Sequence, residues 1–139
     1  MFTESDIDHI GRGVESRTLP KAEWTHAAHF AALVWLMAQS TRVPELEMPE
    51  LIRAYNEATG TPNTDESGYH ETITQASIRV VRAFLRDRSD LSRAEALGKL
   101  LASRLGRSDW PLAHYSYERL FSVAARRSWV EPDLAPLPI

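Results

Sequence analysis

Apolar residues recur along the chain at three- and four-residue spacings, while alternating apolar and polar runs bounded by Asn-Gly or Asp-Gly are missing. That pattern predicts an all-α protein. A first helix is expected over Glu4 to Glu15, led by Thr3 as N-cap, with Ile7, Ile10 and Val14 as its stripe and Gly11 and Gly13 weakening it. The segment from Lys21 to Gln39 is the most apolar. Phe30, Leu33, Val34 and Met37 fall on one side, with Ala28, Ala31, Trp35 and Ala38 on the other, so this helix belongs at the centre. A third helix opens near Pro49, carries Leu51, Ile52, Ala54, Tyr55 and Ala58, and stops at Gly60. The polar stretch Thr59 to Gly68 is the one long loop expected.

From Tyr69 to Asp87 a long amphipathic helix turns Ile73, Val80, Val81, Phe84 and Leu85 inward and Gln75, Arg79, Arg82 and Arg86 outward. Ser92 and Glu95 form a capping box for a fifth helix, which carries Leu97, Leu100, Leu101 and Leu105 and ends at Gly106. A last helix follows Ser116, with Leu120, Phe121 and Ala124 as packing residues. Residues 129–139 hold Pro132, Pro136 and Pro138 and are expected to form an extended tail. The expected architecture is one helical domain, 1–139, built as a compact bundle of five or six helices.

Composition narrows the function classes. The 139 residues carry 16 Lys and Arg against 19 Asp and Glu, a formal charge of −3, which does not suit a nucleic-acid or anionic-membrane binder. Without cysteine there is no thiolate zinc site, iron–sulfur cluster, disulfide or cysteine nucleophile. The opening segment is acidic and lacks an apolar h-region, and the apolar run Ala27 to Ala38 is too short to span a bilayer. A cytoplasmic protein is expected, with no membrane or nucleic-acid partner.

Histidines supply the candidate chemistry. With His26 at zero on a helical wheel, His29 lies about 60° to one side, Phe30 about 40° to the other, and Leu33 and Met37 within about 20°. Both imidazoles therefore lie on an inward stripe. On the later helix a polar line His70-Thr74-Ser77 runs down the buried face, with Glu71 at its border. Burying such groups without partners costs about 1–3 kcal/mol each, so they imply mutual hydrogen bonds, water, a ligand or a metal. The expectation is a histidine-lined pocket in a small-molecule enzyme. His26, His29, His70 and Glu71 are its candidate catalytic groups, and Tyr69, Thr74, Ser77 and His114 its candidate ligand-binding groups.

Two versions stay open. In one, His26, His29 and His70 hold a single divalent ion (Zn, Fe, Mn or Ni), although the H-E-x-x-H pattern is absent and only Glu23-Trp24-Thr25-His26 matches E-x-x-H. In the other, one histidine is a general base whose tautomer is held by a second histidine or Glu71, with Thr74 or Tyr69 hydrogen-bonding the substrate. The plainer alternative is that each histidine is satisfied by a carbonyl or hydroxyl, in a non-catalytic ligand-binding or interaction module. His9 is a surface residue, and periodicity does not place His114. Gly11-Arg12-Gly13 lacks the strand and helix of a dinucleotide loop, and no P-loop or G-x-S-x-G occurs. The stripe Arg79, Arg82, Arg86 reads as a solvated face or a docking patch for an acidic partner. Trp35 reads as second-layer core or as an oligomer contact, with a homodimer allowed.

Four segments considered together carry a resemblance: Trp24-Thr25-His26-Ala27-Ala28-His29-Phe30, Tyr69-His70-Glu71-Thr72-Ile73-Thr74, Tyr115-Ser116-Tyr117-Glu118-Arg119-Leu120 and Trp129-Val130-Glu131-Pro132-Asp133. The chain resembles a family of small bacterial helical proteins without an established activity. That family shows an aromatic-Thr-His-x-x-His-apolar segment, Tyr-His-x-Thr-x-Thr, Tyr-Ser-x-Glu-Arg-Leu and a closing apolar-x-Pro-Asp. The match spans Trp24 to Asp133, with Trp24 where Phe is more usual. The resemblance implies that the histidine face, Thr72, Thr74, Ser116, Arg119 and the tail belong to one shared architecture.

Overall fold

A computed structural model describes residues 1–139, which form seven α-helices, three single 3-10 turns and no strand. The first helix, α1 (Glu4–Glu15), starts where the sequence places it, because Thr3 accepts from Asp6 N while the Asp6 side chain accepts from Thr3 N. The central helix is shorter than the segment Lys21 to Gln39 expected for it. A 3-10 turn (Lys21–Glu23) comes first, and Thr25 caps α2 (His26–Met37) by accepting from Ala28 N. As expected of a helix apolar all round, α2 buries every residue from Phe30 to Leu36.

Helix α3 (Pro44–Ala58) begins a full turn earlier than its composition predicts, with Pro44 in the first turn and Pro49 inside the helix. Pro49 has no N–H for the Glu45 carbonyl. Gln75 Nε2 donates to that carbonyl instead, at 3.1 Å, and so removes part of the cost of an internal proline. Helix α4 (Glu71–Arg86) has His70 as its N-cap, and α5 (Arg93–Ala102) carries the expected Ser92/Glu95 capping box. The chain leaves α5 before Leu105, which sits in a 3-10 turn (Arg104–Gly106). Where one last helix was expected there are two short ones, α6 (Tyr117–Leu120) and α7 (Val123–Arg127). Ser122 starts the second by accepting from Ala125 N. The helix total is therefore seven instead of five or six, because hydroxyl caps at Ser116 and Ser122 each start a helix.

Gly11 of α1 forms the contact with α2, and Gly13 packs on the connection that follows α1. Gly11 is buried, and a Cβ there would lie 2.6 Å from Cε3 of Trp35 and closer still to its Cδ2 and Cγ. At Gly13 a Cβ would stand 2.9 Å from Leu19 Cβ. Residues that weaken an isolated helix thus allow close approach, of α2 at Gly11 and of the connecting segment at Gly13. Trp35 is 7% exposed and lies inside the fold, which leaves it no surface for a partner subunit. No helix is long and apolar enough to cross a membrane.

Candidate functional site

Each of the three inward histidines has its own main-chain partner. Half-buried His26 places Nε2 2.9 Å from the Leu105 carbonyl, with its ring tilted 4.7 Å from Phe30. His29 donates from Nδ1 to the Thr25 carbonyl at 2.7 Å and stacks on Trp24, with ring centroids 3.7 Å apart. His70, 7% exposed, accepts from Ile73 N at Nδ1 and donates from Nε2 to the Leu120 carbonyl at 2.7 Å. With one nitrogen accepting and the other donating, His70 is held as the neutral Nε2–H tautomer and has no lone pair left for a metal or a proton.

No group of three His, Asp or Glu side chains is placed to hold a metal ion. The expected His26–His29–His70 ion site is not assembled, and the reason is local. His70 has φ −131° and ψ 109°, outside the helix it caps, so the wheel angle assigned to it does not apply. Thr74 and Ser77, which are inside that helix, are buried as expected. His9 is at the surface, 3.0 Å from Glu23.

Burial under Trp24 lowers the His29 pKa from its ordinary 6.5 to about 4. Above pH 6.5 the native and unfolded chains are both neutral at this residue. As pH falls below 6.5 the unfolded chain gains a proton that native His29 refuses until about pH 4, so stability drops through that window. The slope approaches 1.4 kcal/mol per pH unit at most, roughly. His70, also lowered by burial, adds in the same direction. Urea midpoints recorded at pH 7, 6 and 5 should fall steadily for the wild type and more shallowly for His29→Asn; equal slopes would contradict this role.

Tyr69 and Glu71, expected as ligand-binding and catalytic groups, are joined to each other, with Tyr69 Oη donating to Glu71 Oε1 at 2.5 Å. Arg53 lies over the Tyr69 ring at 4.2 Å, and Arg126 donates to the Gly68 and Tyr69 carbonyls. Burial first, then the Glu71 carboxylate, pushes the Tyr69 hydroxyl well above its usual pKa of 10.0. The pair acts as a neutral donor held by a carboxylate and closes the entrance to α4.

Residues of three of the four segments that carry the resemblance fasten the tail. Thr72 donates to the Ser128 carbonyl and accepts from Val130 N, and Tyr115 Oη donates to the Val130 carbonyl. The Asp133 carboxylate accepts from both N and Oγ of Ser116, at 2.8 and 2.7 Å, while Arg119 Nε donates to the Glu131 carbonyl. Arg79 lies 3.8 Å above the Trp129 ring. Residues 129–139 form no helix, as their prolines require, but they lie back on the fold and bury Leu137. The motifs therefore describe caps and a strap.

A surface cleft of about 910 Å³ opens between the end of α4, the turns after α5 and the last residues of the tail. His114 lines it, with Nδ1 2.8 Å from the Pro136 carbonyl, whereas His26, His29 and His70 do not. Its apolar wall includes Phe84, Leu105, Trp110 and Leu112, and its polar edge carries Arg86, Arg88, Arg104 and Arg107 with Asp87 and Asp109. His26 binds the carbonyl of Leu105, a residue that lines the cleft. Sequence reading missed the cleft because residues 80–88 and 103–114 meet only through folding. Of the expected arginine face, Arg79 covers Trp129, Arg82 pairs with Glu45, and Arg86 stands between the cleft and a second hollow that it shares with Arg82 and Arg42.

Fold and site together define an all-helical protein with an arginine-edged cleft. Comparison with protein-family models, curated proteins and solved structures finds no match for this chain, so the family resemblance rests on its motifs alone.

Proposed function

We propose that the protein is a non-catalytic helical module that binds a small molecule in the cleft between the end of α4 and residues 103–114. The observation behind this reading is the cleft itself. Its volume of about 910 Å³ lies within the size range of small-molecule sites, and it combines an aromatic and aliphatic wall with a charged rim of four arginines and two aspartates. The rival reading, an enzyme using His26, His29 and His70 as metal ligands or as acid and base, has a specific observation against it. All three imidazoles are engaged by separate main-chain groups, and His70 has both nitrogens occupied.

A fragment library holding neutral, acidic and basic compounds, screened by amide chemical-shift mapping on the labelled protein, tests the two. Hits should move the amides of residues 80–88 and 103–114. A library without a hit there would overturn the reading, and hits that instead moved residues 26, 29 and 70 together would restore the histidine site.

A further inference from the structure

We infer that the ligand of this cleft is an organic oxyanion, a carboxylate or phosphate head on an apolar body, with Arg86 and Arg104 reading the head. This inference rests on the binding reading above and adds the charge of the occupant.

The rim carries four arginines against two aspartates, and half of these six charges are already committed. Arg107 is bound through Nε and Nη2 to both oxygens of Asp109, at 3.0 and 3.1 Å. Arg88 donates to the Phe84 carbonyl at the end of α4 and lies 3.7 Å over the Phe84 ring, so its guanidinium closes a helix end. Arg86 and Arg104 remain. Both are exposed, neither makes an ion pair, and they come from different walls, the last turn of α4 and the 3-10 turn after α5. Asp87 is the only carboxylate on the lining side chains outside an ion pair, so the rim keeps a positive surplus.

A guanidinium offers a planar fork of N–H donors that matches the two oxygens of a carboxylate or the oxygens of a phosphate. A cation would meet that surplus, and a neutral compound would gain nothing from it. Behind the rim, Trp110 and Leu105 are buried and Phe84 and Leu112 half-buried, a wall suited to a ring or a short alkyl chain. The overall charge of −3 argues against a polyanion such as nucleic acid, which would meet repulsion beyond the rim.

The test uses four probes with related bodies on the full chain: 4-phenylbutyrate, phenyl phosphate, 4-phenylbutanamide and 4-phenylbutylamine, each titrated while the amides of residues 80–88 and 103–114 are followed. One or both anions should bind there at least tenfold more tightly than the amide, and the amine more weakly still. The tighter anion tells carboxylate from phosphate. Arg104→Gln and Arg86→Gln should each weaken anion binding about tenfold and leave the amide unchanged. Because neither side chain has an ion-pair partner, both variants should keep the wild-type urea midpoint, and Arg104→Lys should recover part of the affinity. Binding of the amide or amine at the cleft as tight as that of the anions would overturn the oxyanion inference while the binding reading stands. Silence of all four probes overturns the inference as well, and the binding reading then falls or survives on the fragment library.

Discussion

Gly11→Ala should destabilise the fold by about 2–3 kcal/mol, although in an isolated helix the same change is favourable by about 1 kcal/mol. The sign is decided at the α1–α2 contact. The added methyl would fall inside the van der Waals envelope of the Trp35 ring, and that ring is 7% exposed, part of the buried core. Either α1 lifts off α2 or the indole leaves its place, and overpacking of this kind costs about 1–3 kcal/mol or more. Gly98 in α5 supplies the control. A Cβ there meets nothing within 4 Å, so Gly98→Ala should stabilise by about 0.5–1 kcal/mol. Urea unfolding of both variants beside the wild type reads the contrast, and two stabilised variants would mean that α1 does not pack on α2 through Gly11.

His70→Leu should cost about 2–4 kcal/mol, counting a lost N-cap of about 1 kcal/mol and a buried carbonyl left without its donor at about 1–3 kcal/mol. The Ile73 amide loses the acceptor at 3.1 Å and the Leu120 carbonyl loses the donor at 2.7 Å, so the start of α4 and the end of α6 come apart together. Asparagine separates the two contributions. It caps helices well but is too short to reach Leu120, so His70→Asn should recover roughly the cap and no more. His26→Leu breaks a single bond at a half-buried site that water reaches, and should cost less than His70→Leu. If His70→Leu proved neutral or stabilising, the imidazole would be a functional group held at a cost to the fold, and the histidine-site reading would return.

Much of the helical plan was legible in the chain because its signals are short-ranged. Thr3 with Asp6, and Ser92 with Glu95, satisfy the first amides of their helices from three residues away, so α1 and α5 start where a local reading puts them. The inward register of α4 was legible for the same reason, since Val80 and Val81 follow one helical period and are buried. Reading failed where a residue lies just outside its helix. A wheel applied to His70 joins it to Thr74 and Ser77, whereas the backbone at that position is extended and aims the ring at Leu120. The early start of α3 was hidden because tolerance of Pro49 depends on Gln75, which binds the Glu45 carbonyl from thirty residues further along the chain.

By itself, then, the sequence determined helix class, the starts of α1, α5 and α6, the buried centre at α2 and a tail that its prolines keep out of a helix. Each of these follows from propensity, capping or periodicity within a few residues. Tertiary structure alone decided that Gly11 is a contact surface, that the three histidines have separate partners, and that Arg86 and Arg104 face one cleft. Those outcomes depend on which backbone atoms lie opposite a side chain after folding, and packing between helices sets that distance and direction, which no local pattern encodes.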